Sequence, residues 1–259
     1  MEKMAPAEFN AFIFHHLTRH QYAVVDRLNV FLAPWVKSAP MVPLVPNELR
    51  SDADNLPALL AIDPEADWFP GLLEEFAVSY QRGYPPPFLN LLVVPENVNP
   101  KLLVKHLTDR LIIHFPRGKG YLRYFDPKNF VHFKRILWPN QLQSLYGPIA
   151  QWTIYFDKRW ITELEPGVTE YVPQYWAVKD EQFAALDRLR VLNQALFYWR
   201  EGLGRPWGSL DEFRVYASLA DDITIQEQRA QPDERDETIV GAVGSQFPKD
   251  FRFNPNQLQ

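Results

Sequence analysis

The sequence predicts an α/β (α+β) protein, with a mixed β-sheet lobe flanked by helices over residues 1–165 and a mainly helical lobe over 174–259. Three observations predict it. Apolar runs of strand length at 22–26, 57–62 and 88–94 are interleaved with stretches of 3.6-residue periodicity. From 180 to 201 apolar residues recur at helical spacing alone, without a strand signal. Between these halves lies 166–173, bounded by Pro166 and Pro173, which reads as a connector.

The elements follow in order. Residues 7–20 read as a helix with Phe9, Phe12, Ile13, His16, Leu17 and His20 on one stripe. His16 and His20 have the i, i+4 spacing of a metal pair, but no HExxH pattern and no third ligand accompany them, so they read as histidines at the core edge. Residues 22–26, Tyr-Ala-Val-Val-Asp, form a short buried strand that ends on Asp26, a turn former or a polar anchor at the sheet margin. Prolines every few residues in 31–46 forbid a continuous helix and leave an edge strand or extended loop. Residues 57–62 are a second strand. Asp63, Glu65 and Asp67 after it lack the glycine and terminal glutamate of a calcium hand, and are expected to line the N-terminus of a helix over 69–81.

Tyr84-Pro85-Pro86-Pro87 is a stiff lead into 88–94, a near-continuous apolar run that suits a central strand covered on both faces. Asn99-Pro100 opens a helix carrying Leu102, Leu103, His106, Leu107 and Arg110, and 111–115 is the next strand. Strand, helix and strand in succession predict a crossover with at least one parallel pair. Residues 116–120 are expected to be a hairpin loop; Gly118-Lys119-Gly120 within it lacks the spacing and the Ser/Thr of a phosphate loop. On the return strand Tyr121, Arg123 and Phe125 share one face, and Leu122 and Tyr124 the other. That strand stops at Asp126-Pro127. Asp126 suits an N-cap, accepting from the Lys128 or Asn129 amide, and Pro127 suits the first helical position, where its missing N–H costs nothing. Arg123 is within reach of Asp26 or Asp126, giving either a structural ion pair or a partner contact.

Two short helices, 129–137 and 139–146, break at Trp138-Pro139. Residues 149–156 form a strand with Trp152, Ile154 and Phe156 on one side, in a hairpin with 160–164. A long helix over 180–201 carries the stripe Phe183, Leu186, Leu189, Leu192, Leu196 and Trp199, and the glycines of 202–208 stop it. Ser209 and Glu212 make a capping box for a further helix with Leu210, Phe213, Tyr216, Ala217 and Ala220 inside. After Asp222 the chain turns polar and is expected to be exposed and mobile. The aromatic stretch 247–253 suits docking on the body or on a partner.

The absence of cysteine excludes disulfides, thiolate catalysis and cysteine-based zinc sites. No apolar run approaches the roughly 20 residues that span a bilayer, and the N-terminus has no export signature, so a cytoplasmic location without a membrane partner is expected. Charge is uneven: residues 101–135 hold nine Lys/Arg against two Asp, and 208–240 hold nine Asp/Glu against three Arg. The basic segment interleaves Tyr121, Tyr124, Phe125, Phe130 and Phe133, which would suit single-stranded nucleic acid. Most of those aromatics fall at core periodicity, however, and the chain is acidic as a whole. No GxSxG, no GxGxxG after a strand and no metal motif is present, so no enzyme, cofactor or metal is expected. A hydrolase with a triad assembled only in space is the second alternative.

In their order, Tyr22-Ala23-Val24-Val25-Asp26, the strand 88–94, the helix 102–111, Arg123-Tyr124-Phe125-Asp126-Pro127, the Leu142 to Leu145 helix and Gly147-Pro148 before Trp152 resemble the chaperone or adaptor family of bacterial type VI secretion, over about residues 22–155. The resemblance implies a cytoplasmic protein that binds a secreted effector toxin and helps load it onto the trimeric spike protein (VgrG) or a PAAR-type tip, with no nucleic acid involved. It marks Tyr22, Asp26, Arg123, Tyr124, Asp126, Pro127 and Trp152 as signature or partner-binding residues. The apolar area for holding a partner is expected from 31–46 and the helical lobe, the sheet lobe carrying the common contact and the helical lobe tuning effector choice.

Overall fold

A strand of four apolar residues is too short to stand alone, and the fold is built by stacking several of them edge to edge between helices. The computed structural model describes residues 6–30, 33–88, 90–164 and 176–230. In chain order the elements are α1 (Pro6–Thr18), β1 (Tyr22–Val25), α2 (Arg27–Val30), β2 (Val42–Pro43), β3 (Ala58–Ala61), α3 (Phe69–Arg82), β4 (Asn90–Val93), α4 (Pro100–Arg110), β5 (Ile112–Phe115), β6 (Gly118–Tyr121), α5 (Pro127–Phe130), α6 (Phe133–Ile136), α7 (Pro139–Tyr146), β7 (Gln151–Phe156), β8 (Arg159–Leu164), α8 (Asp180–Asp187), α9 (Leu189–Leu203) and α10 (Leu210–Ala230). The mixture is α+β, as the sequence predicts. The described residues group into two units, the first lying within 6–114, 118–127 and 139–177, the second within 115–117, 128–138 and 178–230. The connector expected over 166–173 and the aromatic stretch 247–253 lie outside the described residues.

The first unit is organised on a six-stranded sheet of order β2-β3-β1-β4-β7-β8. Its pairings are antiparallel throughout. β4 lies between β1 and β7, with Asn90, Leu91 and Leu92 all buried, which is why its sequence reads as one apolar run. Phe9, Ile13 and Leu17 of α1 and Phe69, Leu72 and Phe76 of α3 pack with Ala23, Val25, Leu60 and Leu91 on one face. Phe9 stacks on Tyr80 at 4.0 Å. Phe12, expected on the apolar stripe of α1, is 45% exposed. At the turn between β7 and β8, Asp157 and Lys158 both have positive φ, 49° and 65°, as a two-residue hairpin of matching twist requires.

Several expectations are corrected. The crossover with a parallel pair does not form: β5 leaves the main sheet and pairs with β6 in a two-stranded sheet. Only Leu111 separates α4 from β5, so the chain turns at the helix end and pairs locally instead of returning beside β4. Gly118 and Gly120 belong to β6 rather than to a loop, and the return strand stops at Tyr121. Within 31–46, Pro34–Lys37 is a 3-10 turn that buries Trp35, and Leu44 is buried as well, so this stretch supplies core where exposed apolar surface was expected. The first turn of α3 holds no acid; Asp63 instead accepts from the Glu65 amide at 3.0 Å, closing the turn before the helix.

The second unit is helical. Leu189, Leu192, Leu196 and Trp199 of α9 are buried, as are Phe213, Tyr216, Ala217 and Ala220 of α10. The helix expected over 180–201 is two, separated at Arg188, whose guanidinium donates to Asp221 at 3.1 Å. Gly204, at φ +66°, ends α9 in the left-handed conformation that glycine takes without strain. Ser209 accepts from the Glu212 amide at 3.0 Å, and Glu212 reaches back to the Gly208 amide, so the capping box closes one residue further out than usual. α10 continues to Ala230, eight residues past the point where the polar composition suggested exposed chain, because Thr224 remains buried on its inner stripe.

Candidate functional site

The signature residues meet at the corner between β6 and α5. After Tyr121 the backbone folds into two tight turns, the Tyr124 amide donating to the Leu122 carbonyl at 2.9 Å and the Asp126 amide to the Arg123 carbonyl at 3.1 Å. α5 then begins at Pro127, where an Asp-Pro step favours a helix start. The turns throw Leu122, Tyr124 and Phe125 inward and leave Arg123 outside. The strict alternation expected along 121–125 therefore fails at Phe125, which is buried because the backbone there is turn and not strand.

Inside, the corner is bolted to the sheet. Tyr124 is fully buried and its hydroxyl donates to the Leu107 carbonyl at 2.9 Å. Burial pushes that hydroxyl well above its usual pKa, so it stays a donor. Its ring meets Trp152 edge-on at 5.6 Å, and Tyr146 meets the same indole edge-on at 5.9 Å. The Trp152 N–H donates to the Asn90 side-chain oxygen at 3.1 Å, and the Asn90 amide group donates to the Phe125 carbonyl. Buried polar atoms need such partners, and here they fix the corner's position on β4 and β7.

Outside, Arg123 is half exposed and lies 3.9 Å from an Asp26 oxygen and 3.8 Å from an Asp126 oxygen. Its guanidinium sits 5.6 Å from the Phe125 ring centroid. Asp26 caps the turn into α2, accepting from the Leu28 amide and the Asn29 side chain, both at 3.2 Å. Burial raises the Asp26 pKa, opposed by the Leu28 amide and Arg123 and reinforced by Asp126. Loose pairs of this exposure contribute at most about 1 kcal/mol, so Arg123 is a weak anchor for the fold. Tyr22 stands apart, at the far end of β1, roughly 13 Å along the strand from Asp26. The structure thus gathers Asp26, Arg123 and Asp126 at the surface and Tyr124, Pro127 and Trp152 beneath it.

Two polar clusters escaped the sequence reading. In the first unit His20 sits between the His16 carbonyl, 2.8 Å from Nδ1, and the Thr153 hydroxyl, 2.9 Å from Nε2. Gln151 approaches the same Nε2 at 3.2 Å, and Thr153 meets Thr162 at 3.1 Å. One assignment satisfies every member: His20 neutral with its proton on Nδ1, and Nε2 accepting. With both ring nitrogens engaged, His20 does not offer itself to a metal beside His16. Among the described residues, no group of three or more candidate metal ligands occurs. In the second unit Asp221 accepts from Arg135 at 2.6 Å and from Arg188 at 3.1 Å, and His132 Nε2 meets Asn193 at 2.9 Å. Asn90 and Asp221 were detectable as polar residues at apolar positions of a strand and a helix stripe, whereas helical spacing places His20 at the core edge but carries no signal for its partner Thr153, 133 residues away.

The basic segment 101–135 is largely neutralised by its own chain. Lys105 pairs with Asp109 at 2.7 Å, Lys119 with Glu48 at 2.8 Å and Arg117 with Asp180 at 3.6 Å. Arg110 is buried over Trp176, and Tyr124, Phe125, Phe130 and Phe133 are buried. None of the described helices is long and apolar enough to cross a membrane. Comparison with known protein families, with characterised proteins and with solved structures finds no match for this chain.

Proposed function

We propose that this chain is a cytoplasmic adaptor that binds a type VI secretion effector and promotes its loading onto the spike protein or its tip, acting by binding and not by chemistry. One observation carries the reading. Motif pieces spread from Asp26 to Trp152 converge on a single corner of the first unit, where the inner members form a satisfied core and the outer ones form a charged surface. That division suits a rigid platform for a partner, since preorganised side chains lose little freedom on binding. In the second unit Phe197 and Tyr198 lie side by side on α9, 56% and 47% exposed with ring centroids 6.0 Å apart. Exposed aromatics of this kind are the usual anchors of protein interfaces and suit the surface that tunes effector choice.

The test is co-expression with the products of the adjacent genes, followed by affinity purification in mild salt. Retention of a toxin or of a spike protein supports the adaptor. If the chain emerges alone with every neighbouring product tried, the adaptor reading is wrong. Changing Phe197 and Tyr198 together to serine is expected to weaken effector retention while leaving the melting temperature within about 2 °C, as surface substitutions do.

A further inference from the structure

Arg123 is held in place more firmly than its exposure suggests. The Phe125 ring supports its guanidinium, and Phe125 is itself buried with its carbonyl tied to Asn90. Asp26 and Asp126 stand beside the guanidinium, and the tight turns of 122–126 fix the backbone that carries it. Yet at 3.9 and 3.8 Å both carboxylates lie beyond hydrogen-bond distance, and among the described residues nothing accepts a hydrogen bond from this side chain. A guanidinium carries five N–H donors in a planar fork. Here the fork is oriented by a ring and two charges while its donors remain available.

The same neighbours restrict what completes it. Asp26 accepts one bond at each oxygen, from the Leu28 amide and from Asn29, and stands 3.9 Å from the guanidinium, so it acts on Arg123 through charge more than through bonding. Two carboxylates against one guanidinium repel an incoming carboxylate or phosphate. Uncharged carbonyl oxygens, from main chain or from Asn/Gln side chains, meet no such repulsion, and two of them can each accept from one N–H of the fork.

We propose that Arg123 is a docking contact that donates its N–H fork to uncharged carbonyl oxygens of the effector polypeptide, with Asp26 and Asp126 holding the guanidinium and turning away acidic competitors. The inference rests on the adaptor reading above. A lysine cannot replace the arginine in this role, since an ammonium supplies the charge without the fork.

The experiment uses the full chain with the product of the neighbouring effector gene. Wild type, Arg123→Lys and Arg123→Ala are compared by calorimetric titration at about 0.05 and 0.3 M sodium chloride, a range over which exposed charge pairs are strongly screened, with melting temperatures measured in parallel. The expected result is unchanged melting and affinity about tenfold or more lower for both variants, the wild-type advantage over Arg123→Ala being nearly the same at both salt concentrations. Three outcomes overturn the proposal: Lys binding as well as Arg, Ala binding as well as Arg, or an advantage over Ala that disappears at high salt, which marks an acidic acceptor. A fall in melting temperature with affinity of the folded protein intact also overturns it, by making Arg123 a structural anchor. In each of these cases the wild type still binds and the adaptor reading stands; a wild type that binds nothing removes that reading and this contact together.

Discussion

Trp152 on β7 donates its indole N–H to the side-chain oxygen of Asn90 on β4 at 3.1 Å, in the middle of the core. The same carboxamide donates to the Phe125 carbonyl, so one side chain satisfies a sheet residue and the corner together. Replacing Asn90 by leucine leaves a buried indole N–H and a buried carbonyl without partners. A loss of about 2–4 kcal/mol is expected in urea unfolding. Adding Trp152→Phe removes the orphaned donor, and the double variant is expected to be less destabilised than the sum of the two single ones.

Asp221 holds Arg135 and Arg188 together within the second unit. Burial alone would raise its carboxyl pKa, but the bonds from Arg135 and Arg188 outweigh burial and hold it below the ordinary value. A carboxyl depressed in the folded state stabilises fully above its unfolded pKa, near 4, and the contribution is lost as pH falls below that. Asp221→Asn is expected to cost about 3 kcal/mol at pH 7, with the difference from wild type shrinking on acidification below about pH 4. Denaturant titrations of both proteins at several pH values check this.

His106 and His132 are buried and both are lowered to about 4, chiefly by burial; Arg110 lowers His106 further, and the bond to Asn193 only partly offsets the effect at His132. The unfolded chain therefore binds protons that the folded one refuses. Stability is complete above the unfolded value near 6.5 and falls as pH drops from there to about 4, at roughly 2–3 kcal/mol per pH unit for the two together. Urea midpoints measured across this window are expected to fall steeply, and His106→Gln to flatten the slope by less than half, because His16 and His20, also lowered chiefly by burial, add to it.

Gly147 follows α7 at φ +54°, and a Cβ there would lie 2.3 Å from the His106 ring, which is buried and hydrogen-bonded to the Leu145 carbonyl. Gly147→Ala combines a left-handed backbone with overpacking against a ring that has no room to retreat, so a loss of about 3 kcal/mol or more is expected. Truncating the ring in His106→Ala should relieve the clash in the double variant but not the backbone cost, which thermal melts of the four proteins resolve.

The elements that were legible from sequence are those whose causes are local. Asn99 and Pro100 opening α4, Ser209 opening α10 and Gly204 closing α9 are capping chemistry acting within a few residues. β4 was legible because burial on both faces leaves an uninterrupted apolar run. What failed depended on distance. The pairing of β5 is decided by how short its link to α4 is, and periodicity does not register that. Arg188, between α8 and α9, is bonded to Asp221, more than thirty residues onward, a partner that helical periodicity does not register. At the corner, the type of each residue was readable, but which of them turned inward was not. That depended on two turns whose partners, Asn90 and Leu107, lie elsewhere in the chain.

The second unit takes residues 128–138 from the middle of the chain and combines them with residues after 178. Phe130, Phe133 and Ile136 leave the ribosome some forty residues before α8 and remain without the rest of their unit during that interval. A polypeptide ended at residue 165 would hold the whole sheet and still carry three large apolar side chains with no helices of their own to cover them. Such a fragment is expected to aggregate or to be held by a chaperone, so the N-terminal half cannot be cut free without also removing 128–138.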